Sequence, residues 1–158
     1  MASKINMNDN AGYLPICFYI ERKACLVVGG GKVAFRKITI LKKFGAVITC
    51  LSPIFVKPLE RLHATAKIKC VKRGYPQTLS LKKYALVIAA TNDPVVNKRV
   101  ASDAKRDNVL FNVVDKSAAG SVIMPAILKH KGMLISVSTG GRSPSQAKKT
   151  RDILKGVI

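Results

Sequence analysis

Two groups of residues in this sequence have the types and spacing to do chemistry. The first is the glycine turn in Cys25-Leu-Val-Val-Gly-Gly-Gly-Lys-Val-Ala-Phe-Arg-Lys37, where Gly29, Gly31 and Ala34 fall on the pattern G-x-G-x-x-G/A. Gly29 permits a tight turn, Gly31 lets the backbone approach a pyrophosphate closely, and Ala34 lets the following helix pack against the strand before it. The N-terminus of that helix adds N–H groups and a partial positive charge, both suited to phosphate. The second group is the pair of polar strand ends, Thr91-Asn92-Asp93 and Asp115. A carboxylate at a strand end beside a nicotinamide serves as a general base, taking a proton while a hydride departs. Asp115 suits that role, and the plainer alternative is that it caps the turn into Lys116-Ser117. Asp93 reads as a helix cap, because Pro94 follows it at what would be the first helical position. His130, between two lysines, reads as exposed hairpin turn.

These residues need a sheet to hold them. Ala24 to Val28 is an apolar, β-branched run suited to a strand buried on both faces. A helix is expected over about Lys32 to Phe44, with Ala34, Ile38, Leu41 and Phe44 on one face and Gly45 ending it. Further strands are expected at Ala46 to Leu51, Lys67 to Val71 (half exposed, near the sheet edge), Ala85 to Ala90 and Val109 to Val114. A short helix from Ser52-Pro53 through Leu62 and a longer one over about Val95 to Asp107 complete the alternation. Tyr13 to Ile20 reads as an extended segment, an edge strand or a cover for one end of the sheet. Strands alternating with helices up to Asp115 predict an α/β fold, a Rossmann-like doubly wound parallel sheet.

In such a sheet ligands bind outside the carboxyl ends of the strands, where strand order reverses. Gly29 to Gly31 and Thr91 would then flank the cofactor, and Asp115 would sit one strand away. The end of strand two, Leu51-Ser52-Pro53-Ile54, lacks the usual Asp or Glu for the adenosine ribose, so Ser52 and backbone groups would replace it. No arginine stands there for a 2′-phosphate, and spacing alone leaves NAD and NADP both open.

After Asp115 the pattern changes. Ser121 to Leu128 and Met133 to Ser138 are β-like runs separated by Lys129-His130-Lys131-Gly132, a hairpin signal. Ser143 and Gln146 have capping-box spacing, with Pro144 at the first position of a helix running to about Leu154. The expected organisation is a disordered tail over 1–12, a nucleotide-binding domain over 13–115, and a small α+β region over 116–158. That last region is too small for its own core, so a second copy is expected to cover it as a dimer.

Composition bounds the alternatives. A chain of 158 residues buries roughly two-thirds of its unfolded surface and supports its own core. The 28 Lys and Arg against 8 Asp and Glu give a formal charge of +20, which attracts anions over long range. Cys17, Cys25, Cys50 and Cys70 form no C-x-x-C pair and read as small apolar residues of a reducing cytoplasm, and His63 and His130 alone do not make a zinc site. No stretch is long and apolar enough to span a bilayer, and residues 1–12 lack a signal-peptide core. A soluble, cytoplasmic protein with no membrane partner is expected. A non-catalytic nucleotide-binding regulatory module is the main competing class. Nucleic acid is a third, favoured by charge alone, with no motif for specific recognition.

Taken together, Leu14-Pro15, the Cys25 to Lys37 stretch, Val87-Ile-Ala-Ala-Thr-Asn-Asp93, Asn112-Val-Val-Asp115, Ile123-Met-Pro-Ala-Ile127 and Ser138-Thr-Gly-Gly-Arg-Ser-Pro144 resemble the precorrin-2 dehydrogenase part of siroheme synthases. The resemblance covers about Tyr13 to Leu154. It implies NAD-dependent oxidation of precorrin-2 to sirohydrochlorin in a homodimer. In bifunctional members it implies insertion of ferrous iron as a second substrate. By matching motif, Asp115 would be the acid–base residue for both steps, and Lys32, Val33, Pro53 and Ile54 would border NAD, beside Gly29, Gly30, Gly31, Ser52 and Thr91, which the glycine turn and strand ends already place there. Ser121, Thr139, Gly140 and Ser143 would meet the tetrapyrrole, and the neutral end of strand two is similar to what the family shows. Its acetate and propionate groups suit clustered lysines. Between Asp115 and Pro125 the chain departs from the family, which often has a Cys and an aromatic residue there. Ile158 stands where members commonly continue into a helical region, which weighs against chelation more than dehydrogenation, and no methyltransferase region is expected.

Overall fold

The computed structural model describes residues 13–114 and 120–158. The expected tail at 1–12 lies outside the described residues. By compactness the chain divides between Val122 and Ile123. Phe18–Val122 forms one unit, and residues 13–17 group with Ile123–Ile158 in the other. The division expected at Asp115 thus falls several residues later.

The first unit is a parallel sheet of five strands. β1 (Ala24–Val28), β2 (Val47–Ser52), β3 (Lys69–Lys72), β4 (Leu86–Ala89) and β5 (Leu110–Val113) lie in the order β3-β2-β1-β4-β5. β1 is central and pairs in parallel with both β2 and β4, which is why its side chains are buried on both faces. Leu26 and Val28 join Leu51, Val87, Ala89 and Phe111 in one cluster with Val100, Ala101 and Ala104 of α3 (Pro94–Arg106). Cys25 and Val27 alternate to the opposite face and are equally buried. α1 (Lys32–Lys43) presents Ala34, Ile38 and Leu41 at helical spacing as its buried stripe. α2 (Lys57–Ala64) buries Leu59. Each fully buried branched aliphatic contributes about 1.5–3 kcal/mol. β3 forms the sheet edge with Lys69 and Lys72 exposed, an arrangement that discourages pairing with another chain.

The switch point lies between β1 and β4, because the chain runs outward from β1 to β3 and then returns to the other side of β1. Asp93 caps α3 as its neighbours predict, accepting the N–H groups of Val95 at 2.8 Å and Val96 at 3.3 Å. A polar clasp joins the C-terminal end of α3 to the segment before β4. Asp103 accepts from Tyr75 Oη at 2.7 Å and from Arg106, and Arg106 also bonds Asp107 and the Leu79 carbonyl.

Three local expectations are corrected. α2 starts at Lys57 and not at Pro53, because β2 extends through Ser52 and the next residues fold back on the glycine turn. The strand expected from Ser121 begins only at Ala126. The residues before it hydrogen-bond β5 instead, with Val122 N–H donating to the Phe111 carbonyl at 3.1 Å and Asn112 Nδ2 to the Val122 carbonyl at 3.0 Å. Tyr13 to Ile20, expected as an edge strand or a cover for one end of the sheet, adopts no strand, which removes the first of those alternatives.

In the second unit, β6 (Ala126–His130) and β7 (Met133–Val137) form an antiparallel hairpin, and α4 (Pro144–Val157) contacts both strands. The turn is the two residues Lys131 and Gly132, with φ of +43° and +81°, the positive pair that matches the twist of a hairpin. His130 therefore ends β6, paired with Met133.

Candidate nucleotide site

The glycine turn leaves β1 at its carboxyl end, and its three glycines face three different surroundings. Gly29 has φ of +123°, and a Cβ built on it would lie 2.2 Å from the Ala90 carbonyl oxygen at the end of β4. A Cβ on Gly30 would lie 1.9 Å from the Ile54 carbonyl oxygen and 2.8 Å from Ser52 Oγ. A Cβ on Gly31 would meet nothing within 4 Å. The first two positions are closed by the protein itself, and the third is open. Gly31 is also the N-cap of α1, which has no side-chain cap and no acidic residue in its first turn. The first-turn N–H groups of α1, at Lys32 and Val33 among others, receive no side-chain cap, unlike those of α3 and α4.

Around this opening, backbone bonds fix the strand ends. Gly29 N–H donates to the Leu51 carbonyl at 2.9 Å, Ala90 N–H to the Val28 carbonyl at 2.7 Å, and Val56 N–H to the Gly30 carbonyl at 2.9 Å. Cys50 Sγ lies 3.2 Å from the Gly29 carbonyl oxygen, in the interior. Burial pushes its thiol up to about 12, so this cysteine stays protonated and donates. Ser52, nearly buried, donates its hydroxyl to the Ile54 carbonyl at 2.7 Å, leaving only lone pairs for a ligand. Pro53 is exposed and Ile54 strongly so. Thr91, half-buried beyond β4, is held by Asn97 and Asp93.

Asp115 lies outside the described residues. β5, which precedes it in the sequence, is the neighbour of β4. The remaining candidates are engaged within the protein. Ser121 Oγ accepts the Phe111 N–H at 2.8 Å and fastens its segment to the edge of β5. In the second unit, Thr139 Oγ1 accepts the Ser143 N–H at 2.9 Å, and Gly140 N–H donates to Ser138 Oγ at 3.2 Å. Ser143 Oγ accepts the Gln146 N–H at 3.3 Å and caps α4. Only half of the expected capping box forms, because Thr139 takes the Ser143 N–H that Gln146 would have accepted.

Sequence reasoning missed Asn97 and Asn112. Both are almost wholly buried, and Asn112 Oδ1 has no partner among the described residues. Asn112 opens the Asn112-Val-Val-Asp115 motif, and its place among apolar neighbours was the signal available. Asn97 stands in no motif, between Val96 and Lys98, and nothing local sets it apart. Among the described residues there is no cluster of three or more metal-ligating side chains, and no helix is long and apolar enough to cross a membrane.

A parallel sheet with a switch point at β1 and β4, and an uncapped helix N-terminus behind an open glycine turn, defines the dinucleotide-binding class of doubly wound folds. The chain belongs to the NAD_binding_7 family, described as "Putative NAD(P)-binding", whose model matches residues 16–126. It is similar to the siroheme synthase of Saccharophagus degradans, at 41% identity over 92% of this chain. It is also similar to that of Pseudomonas fluorescens, at 40% identity over 88% of this chain. The chain spans 32% and 30% of those two relatives, about a third of their length. Among solved structures it resembles SirC, a precorrin-2 dehydrogenase, with a TM-score of 0.78 and 25% identity, covering 92% of this chain and 71% of that one.

Proposed function

We propose that this chain carries out the NAD-dependent oxidation of precorrin-2 to sirohydrochlorin, a step of siroheme biosynthesis. The observation that carries this reading is the likeness to a precorrin-2 dehydrogenase over most of both chains. The open approach to Gly31 and the uncapped start of α1 fit a pyrophosphate, which needs close backbone and free N–H groups. When bound, NAD supplies the acceptor for a hydride. The backbone at Gly31, Lys32 and Val33 holds the phosphates, Ser52 accepts from the adenosine ribose, and Pro53 and Ile54 border the adenosine half. Thr91 stands on the nicotinamide side of the switch point. Asp115 takes the proton released as the substrate loses its hydride, so that the two hydrogens leave as hydride and proton. The excess of lysine and arginine draws in a polycarboxylate substrate, to which Ser121, Thr139, Gly140 and Ser143 belong by resemblance. A homodimer, and insertion of ferrous iron into sirohydrochlorin, complete the reading.

The test is NADH formation on adding precorrin-2 and NAD, followed by absorbance. Asp115→Asn should retain NADH affinity and lose about 10²-fold or more in turnover, the usual contribution of a general base. Turnover by Asp115→Asn at the wild-type rate would remove Asp115 from the mechanism. NADH binding with no turnover of precorrin-2 by the wild type would favour a regulatory module. Iron insertion is assayed separately, with sirohydrochlorin and ferrous iron and no NAD.

A further inference from the structure

Asn97 has no exposed surface, yet it is a polar residue near the start of α3. A buried amide is costly unless its donor and acceptor are both satisfied. Three of its hydrogen bonds run to a single residue. Asn97 Oδ1 accepts the Thr91 N–H at 3.2 Å and lies 2.9 Å from the Thr91 hydroxyl, and Asn97 Nδ2 donates to the Thr91 carbonyl at 3.1 Å. The peptide so gripped is the one that walls the glycine turn, since a Cβ on Gly29 would lie 2.2 Å from the Ala90 carbonyl oxygen and 3.1 Å from the Thr91 nitrogen. Few other side chains fit. Aspartate loses the donor, leucine loses both groups, and glutamine is a methylene too long for a helix start already fixed by the Asp93 cap and Pro94.

The grip also sets what Thr91 can offer. Its one hydroxyl proton faces two acceptors that cannot donate, Asn97 Oδ1 at 2.9 Å and the Asp93 carbonyl at 3.0 Å. One lone pair takes the Asp93 N–H at 3.1 Å. What remains is a single lone pair, so the hydroxyl can accept from a ligand but not donate to it. We infer that Asn97 is the positioning residue of the nucleotide site, holding Thr91 so that its hydroxyl accepts one N–H or O–H of the nicotinamide nucleoside half. The inference rests on reading the glycine turn as the NAD site, because β4 lies on that half of a doubly wound fold. The donor is either the carboxamide or a ribose hydroxyl.

The experiment titrates NADH against the full chain by fluorescence, with the folding midpoint of each variant taken by circular dichroism. Thr91→Val keeps the shape and the backbone bonds to Asn97, and should weaken NADH about tenfold, the loss of one good hydrogen bond, with little change in midpoint. Asn97→Ala should weaken NADH by a similar or larger factor. The double variant should be no weaker than the poorer single one, because both act through Thr91. An NADH analogue with an acetyl group in place of the carboxamide separates the sources. If the wild type disfavours it and Thr91→Val does not, the carboxamide is the donor. If Thr91→Val weakens both ligands alike, the ribose is. Wild-type affinity in folded Thr91→Val overturns the inference whether or not Asn97→Ala folds, and so do additive losses in the double variant. No NADH binding by the wild type overturns the nucleotide site itself.

Discussion

Gly29 and Gly31 differ by one residue between them and should respond to a methyl group in opposite ways. At Gly31 the new Cβ meets nothing within 4 Å, and φ is −89°, a value open to any residue. Gly31→Ala should therefore fold, losing only what alanine costs as a helix N-cap, about 0.5–1 kcal/mol. In a domain of this size that lowers the midpoint by about 1–4 °C. At Gly29, φ is +123° and the new Cβ would stand 2.2 Å from the Ala90 carbonyl oxygen. Backbone strain of about 1–3 kcal/mol and a similar cost for displacing the end of β4 add to about 2–6 kcal/mol. For the ligand the order reverses. The methyl of Gly31→Ala enters the space through which a phosphate oxygen must pass to lie about 2.9 Å from the N–H groups of α1. Losing one charge-assisted hydrogen bond costs about 1.5–3 kcal/mol, which is a rise in Kd of roughly 10- to 150-fold. Thermal unfolding followed by circular dichroism measures the first effect, and NADH fluorescence titration the second. NADH affinity in Gly31→Ala within about twofold of the wild type would refute the open turn as the phosphate site. A Gly29→Ala variant as stable as the wild type would refute the steric account of the turn.

Two further predictions concern the rest of the first unit. The Arg106 guanidinium, followed by the Leu81 N–H, holds the Asp107 carboxyl below the usual carboxylate range. A carboxyl lowered in the folded state stabilises above its unfolded pKa and loses that contribution as pH falls through the folded value. Arg106→Gln should thus be less stable than the wild type in urea at neutral pH, and the gap should narrow as pH drops below about 4. A gap constant with pH would remove the clasp as its source. The thiols should separate by burial. Cys25 and Cys50 are buried, with thiols pushed up to about 11 and about 12, while Cys17 is exposed. A chromogenic disulfide reagent should find one fast thiol in the native protein and four after unfolding. Rapid loss of Cys50 thiol in the native state would contradict its place against the Gly29 carbonyl.

The elements best legible in the sequence were those whose own residues specify them. Val27 and Val28 lie in an unbroken apolar run and form a central strand, and Asp93-Pro94 carries its own cap and becomes a helix start at that residue. The misplaced elements were those decided by partners far along the chain. Ser121 and Val122 have strand composition, but their hydrogen bonds go to Phe111 and Asn112 of β5, a pairing that no local pattern encodes. Ser143 and Gln146 have the spacing of a capping box, and a threonine four residues upstream completes the cap differently. Asn97 reads locally as one polar residue in a helix, and its meaning appears only when Thr91 is brought against it by the turn after β4.

The neutral end of β2 has the same kind of cause. By fold class an acidic residue belongs at or near Ser52, facing the adenosine ribose. In this chain the loop after β2 folds back over the glycine turn. The Ile54 carbonyl occupies the place of a Gly30 side chain, the Ser52 hydroxyl donates to that same carbonyl, and Val56 N–H donates to the Gly30 carbonyl. A carboxylate at position 52 could not donate to the Ile54 carbonyl and would set its charge against that oxygen. Serine supplies the missing proton, and glycine at position 30 supplies the room. The run of three glycines is therefore not a repeated solution to one problem. Gly29 admits the end of β4, Gly30 admits the loop after β2, and only at Gly31, of the three, would a Cβ meet nothing within 4 Å.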